Sequence, residues 1–99
     1  MKPYFTIFYI DHTGTYFHTG SAFFPIDSNE QPEVYRRKNT ASAAVNVMKR
    51  NIENRNKFGT GWAPVRYEGE QKWENQVELT DPTCFYILPV NLTPVIPGQ

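Results

Sequence analysis

The spacing of apolar and polar positions divides the chain into its elements. Residues 4–10, YFTIFYI, are aromatic or β-branched almost throughout and contain no glycine, which predicts a strand. Both faces of that strand are apolar, with Phe5, Ile7 and Tyr9 pointing one way and Tyr4, Thr6, Phe8 and Ile10 the other. A turn follows at Asp11, His12, Thr13 and Gly14. The Asp11 carboxylate can accept a backbone N–H two residues on, and Gly14 can take positive φ. Residues 15–19 return as a second strand, which a bulge at Gly20 carries on into Ala22 and Phe23. Residues 25–32, PIDSNEQP, form a polar loop, and residues 33–37 read as extended.

The period then changes from two to 3.6. Ala41, Ala44, Val45, Met48 and Ile52 lie on one stripe, predicting a helix over about 40–57. Asn39 or Thr40 is placed to cap it and Gly59 to stop it. Residues 63–67 predict a strand. Residues 73–79 alternate, with Trp73, Asn75, Val77 and Leu79 on one side and Glu74, Gln76 and Glu78 on the other. Residues 85–91, FYILPVN, predict the last strand. Pro89 has no N–H to donate, so it puts that strand at a sheet edge or ends it early.

The order β-β-(β)-α-β-β-β predicts an α+β, two-layer fold. One helix packs on one face of a four- to five-stranded antiparallel sheet, in a single domain over 1–92, and 93–99 form a proline-containing extended tail. A helix of that length, roughly 25 Å, covers one sheet face only. One apolar set of the first strand belongs beneath it. The other needs a loop, the tail, a second subunit or a partner.

Composition sharpens this picture. Apolar residues make up 39% of the chain, too many for a disordered one. Eight of the fifteen aromatic residues fall within residues 4–24, a surplus that predicts outward-facing rings. Net charge is zero, but residues 36–57 carry Arg36, Arg37, Lys38, Lys49, Arg50, Arg55 and Lys57 against Glu53 alone. Those seven cations, with Phe58, Trp62 and Tyr67 near them, form the alternative site, one that would grip the phosphates of DNA or RNA. The acidic residues Glu68, Glu70, Glu74, Glu78 and Asp81 have the spacing of a solvated face rather than of paired catalytic carboxylates.

No catalytic constellation emerges. His12, His18 and Cys84 lack the local spacing of a zinc site, so neither metal nor cofactor is expected. A hydrolase using Cys84 with His12 or His18 is a second alternative, and it requires those side chains to converge. One cysteine permits no intramolecular disulfide, and no apolar run approaches a membrane span. A reducing cytoplasm is the expected location, with no membrane partner.

The layout as a whole resembles small bacteriophage accessory proteins of the host-takeover or counter-defence kind. The resemblance is carried by FTIFYI, the glycine turn leading to Tyr16 and Phe17, Val34 and Tyr35 before a basic run, the helix TASAAVNVMKRNIEN and the late strand YILPVNL. It is architectural and covers most of the chain. It implies a protein that binds and inhibits or redirects a host protein or complex, and it brings no catalytic residues. The leading expectation is therefore a non-enzymatic binding protein. Its docking residues would be Tyr4, Phe8, Tyr16 and Trp73 on the sheet, or Trp62, Arg50 and Arg55 near the helix end. A homodimer through the uncovered sheet face would satisfy the same rings without another partner.

Overall fold

The computed structural model describes residues 3–68 and 76–90. Its elements are β1 (Tyr4–Asp11), β2 (Gly14–His18), β3 (Phe23–Pro25), α1 (Lys38–Phe58), β4 (Val65–Tyr67), β5 (Gln76–Glu78) and β6 (Phe85–Val90). The strands form one sheet in the order β5-β4-β3-β2-β1-β6. The α+β class is as expected, but the sheet has six strands and is mixed. β3 and β4 run parallel, meeting at Phe23 and Arg66. The helix lies between them in the chain, and a crossover of that kind returns the backbone to the sheet in the direction it left.

The additional strand comes from Gly20. The expected bulge is instead a reversal. Gly20 has φ +102, and the Thr19 N–H donates to the Ala22 carbonyl at 2.9 Å, so β3 folds back antiparallel on β2. The expected extended stretch at 33–37 contributes one bridge. Phe5 and Tyr35 exchange N–H···O bonds of 2.8 Å in both directions. That bridge pairs the first half of β1 on the side where β2 has already ended.

The helix starts earlier than the capping residues suggested. Arg37, not Asn39 or Thr40, holds the N-cap position, and no side chain caps it. Ala41, Val45, Met48 and Ile52 are buried, and Val47 is exposed, as the stripe requires. Beneath the helix they meet Ile7, Tyr9, Tyr16, Phe23, Leu79 and Phe85. The core face of β1 is therefore the Ile7 and Tyr9 set. Tyr9 packs edge-on against Phe23 and Phe85, with centroids 6.0 and 5.3 Å apart.

The opposite face is organised by register. Phe8 lies across from Phe17, and Phe17 across from Phe24. Phe24 stacks on Tyr67 with centroids 5.0 Å apart. On the other side Phe8 pairs with Tyr86 of β6. A row of rings thus crosses five neighbouring strands. Phe17, Phe24 and Tyr67 are buried in a second cluster, Phe8 is half-buried, and Tyr86 is exposed.

The helix stops at Gly59, whose φ of +73 is left-handed and whose N–H donates to the Arg55 carbonyl at 2.8 Å. A Cβ at Gly59 would meet nothing within 4 Å, so its cost is confined to the backbone. Gly59→Ala is expected to lower unfolding free energy by about 1 kcal/mol, read as a lower urea midpoint at unchanged m-value.

Candidate docking surface

β6 ends the strand order, and its pairing fixes which of its backbone groups are satisfied. Phe5 turns its N–H and C=O toward Tyr35, away from β6, while the Ile10 N–H donates to the Cys84 carbonyl at 3.0 Å. Alternation along β1 then aims Tyr4, Thr6, Phe8 and Ile10 at β6. Their partners Val90, Leu88 and Tyr86 are satisfied. Phe85, Ile87 and Pro89 direct their backbone groups outward. Pro89 thus sits where its missing N–H costs nothing, at an edge as the sequence indicated.

The side chains of β6 divide the same way. Phe85 and Ile87 face the helix, whereas Tyr86 and Leu88 lie on the opposite face, 46% and 41% exposed. Through the β1 register they adjoin the half-buried Tyr4 and Phe8, which flank the fully buried Thr6. On the helix side a groove of about 310 Å³ runs beside β6, lined by Lys38, Ser42, Val45, Asn46, Lys49, Phe85, Tyr86 and Ile87. The sheet margin therefore combines backbone groups unpaired among the described residues, an apolar patch below and two cations above.

The residues expected to dock a partner fall into separate places. Tyr4 and Phe8 belong to this margin. Tyr16 does not: it is 5% exposed beneath the helix, because its strand position shares a face with Tyr9. Trp73 lies outside the described residues. Phe58, the last residue of α1, is 64% exposed, and Trp62 beyond it is 61% exposed. Arg50 is exposed, but Arg55 is committed. Its guanidinium pairs with Glu78 of β5, with Nε 3.2 Å from Oε2 and Nη2 3.3 Å from Oε1, and Nη1 donates to the Gly59 carbonyl. Among the other cations, Arg36, Arg37, Lys38 and Lys57 are exposed and Lys49 is half-buried. At about 100° per residue, Lys38 and Lys49 share one side of the helix and Arg50 and Lys57 another, so they form no single track. Sequence reasoning missed Tyr86 and Leu88, although the Pro89 that marks the edge stands beside them.

The Cys84–His18 form of the catalytic alternative loses its geometry. The Cys84 thiol has Asp81 and Tyr9 as hydrogen-bonding neighbours, not a histidine, and burial pushes its pKa up, away from the reactive thiolate. His18 lies across two strand spacings and three residues from Cys84, on the order of 14 Å. Burial pulls the His18 pKa below 6.5, partly countered by the Glu33 carboxylate, whose Oε2 is 3.8 Å from Nδ1. His12 is exposed in the first turn. Among the described residues no group of three or more His, Cys, Asp or Glu side chains could hold a metal ion. A depression of about 970 Å³ beside Thr13, Tyr16, Ile26, Asp27 and Glu68 has neither cysteine nor histidine in its lining.

One buried charge pair is structural. Arg66 on β4 reaches across the Tyr16 ring, 5.0 Å from its centroid, to Asp11 at the end of β1, and it also bonds Glu68 at 3.0 Å. Burial works to raise the Asp11 pKa. Hydrogen bonds from Thr13 and Arg66 outweigh that effect, and the pKa falls from 3.8 to about 2. A depressed carboxylate contributes stability above its unfolded pKa and loses it as pH falls through the folded one. The stability gap between the wild type and Asp11→Asn is therefore expected to be constant above about pH 4 and to shrink toward pH 2, measured by urea unfolding across that range. In comparisons with protein-family models, curated proteins and solved structures, nothing matched this chain.

Proposed function

We propose that this chain is a non-enzymatic binding protein that docks on another protein through the β1/β6 margin of its sheet. The observation that carries this reading is the exposed pair Tyr86 and Leu88, adjoining half-buried Tyr4 and Phe8, beside a strand edge that is unpaired among the described residues. Exposed rings next to free backbone groups are what strand-edge recognition uses. Trp62 and Phe58 are more exposed, but they are single residues at a helix end, and singly exposed apolar side chains need no partner. The phage-like layout suggests a host protein or complex as the target, inhibited or redirected by occupation of its surface.

Nucleic-acid binding is the second reading, favoured by Arg36, Arg37 and Lys38 standing exposed at the start of α1. It predicts affinity that collapses with added salt as counterions are released. Arg55, engaged with Glu78, leaves that set.

Affinity capture from a bacterial lysate, with and without nuclease, separates the two. The expected result is a defined protein partner that survives nuclease and whose recovery drops about tenfold with Tyr86→Ser and Leu88→Ser combined. Both side chains are exposed, so the fold tolerates the change. Recovery that depends on nucleic acid, or that the double variant leaves intact, overturns the reading.

A further inference from the structure

Among the described residues the outer edge of β6 is unpaired and narrow, and the charged residues lining the groove beside it are both cations. Phe85 and Ile87 present outward N–H and C=O groups, and Pro89 only a carbonyl. An added strand therefore has a short ladder before Pro89 interrupts it. On the helix side of that ladder stand Lys38 and Lys49, rimming the groove. Lys38 and Lys49 are eleven residues apart, a rise of about 16 Å. Two residues four apart on an extended chain face the same way and are about 13 Å apart, a span that the flexible lysine stems can match.

We infer that β6 accepts an extended acidic segment of a partner protein as a seventh strand. Carboxylates about four residues apart would face Lys38 and Lys49, and the intervening apolar side chains would cover Tyr86 and Leu88. The inference rests on the protein-docking reading and specifies its partner. Charge complementarity selects this occupant over the obvious competitor, a second copy of the chain. Pairing two β6 edges about a twofold axis would put both helices on the same face. The Lys38 and Lys49 of each copy would then be turned toward those of the other, a like-charge arrangement that opposes association. β6 itself supplies no carboxylate to neutralise them, since FYILPV carries no charged side chain.

The test uses the full chain and three synthetic peptides of about nine residues. All share one apolar alternation and carry glutamate, glutamine or lysine at the two helix-facing positions. Binding is followed by amide NMR and hydrogen exchange. The expected result is an affinity order of glutamate over glutamine over lysine. Exchange at the Phe85 and Ile87 amides should slow, while Tyr86 and Leu88, already bonded to β1, should change little. Lys38→Glu with Lys49→Glu should weaken the glutamate peptide about tenfold and reverse the order, so that the lysine peptide binds best. Both substitutions are on the helix surface, and the reversal is itself the control for folding.

Equal binding of all three peptides with Ile87 protection overturns the acidic partner and leaves the docking reading intact. Shifts at Tyr86 and Leu88 without Ile87 protection overturn strand addition alone. No response at β6 to any peptide, with a single-stranded oligonucleotide shifting Lys38 and Lys49 instead, overturns both. Concentration-dependent self-association in sedimentation, with Ile87 protected in the absence of peptide, overturns the inference in favour of the second copy.

Discussion

The fold depends on the two-sided demand of β1. Its side chains alternate between the faces of the sheet, and both sets are largely apolar. It is also paired on both edges, by β6 along one and by β2 and Tyr35 along the other. No shift of register can relieve that constraint. A slip of one residue would exchange Ile7 and Tyr9 for Thr6 and Phe8 beneath the helix and replace apolar volume there with the smaller, polar Thr6. Thr6 instead sits fully buried on the other side, donating its hydroxyl to the Glu33 carbonyl at 3.3 Å. That hydrogen bond is made only with Thr6 on the face away from the helix, which favours Ile7 and Tyr9 beneath it.

The rest of the sheet extends these two faces outward. On the helix side Tyr9, Phe23 and Phe85 close over the apolar stripe of α1. On the far side the rings of Phe8, Phe17, Phe24 and Tyr67 line up because antiparallel register sets them opposite one another, and such cross-strand pairs stabilise a sheet beyond their individual propensities. Charges tie the distal parts to this frame. Arg66 anchors β4 to the β1 turn through Asp11, and Arg55 anchors the helix end to β5 through Glu78. The contrast between a basic central segment and an acidic remainder is therefore partly spent inside the molecule. The two ties differ in kind. The Arg66–Asp11 pair is nearly buried and would leave an uncompensated charge if broken, whereas Arg55 and Glu78 are partly exposed and contribute less.

Much of the fold was legible in the sequence because local chemistry decided it. The 3.6-residue stripe from Ala41 to Ile52, the stop at Gly59, the Asp11 carboxylate accepting from Thr13 N–H at 2.9 Å and the edge position of Pro89 each follow from a few neighbouring residues. Long-range events were not legible. Gly20 is compatible with a bulge or a reversal, and only the pairing of Phe24 with Phe17 selects the reversal. Tyr16 was indistinguishable from Tyr4 as a docking ring until register placed it under the helix. The capping residues misled for a related reason. Helix starts are fixed by where the chain leaves the sheet, and the Tyr35 bridge to Phe5 brings α1 to its first turn before Asn39 can cap it. Tyr86 and Leu88 were not singled out, because Pro89 marks the edge of the last strand without saying which of its side chains face away from the helix.

An open edge such as β6 is a hazard as well as an opportunity. Unprotected edges recruit other strands indiscriminately, and proteins blunt them with proline and lysine. Pro89 and the two lysines of the groove are those devices, which raises the question of whether they only repel. They do not act alike. Pro89 shortens the ladder for every incoming strand, so backbone hydrogen bonds alone give little affinity and the side chains must supply the remainder. In the proposed docking Lys38 and Lys49 would discriminate among incomers, opposing a second copy of the chain and any basic or neutral strand relative to an acidic one. Specificity is a difference between affinities, and a device that penalises the wrong strand is worth as much as a contact that rewards the right one. In the proposed docking the same three residues would both limit indiscriminate pairing and select the acidic strand.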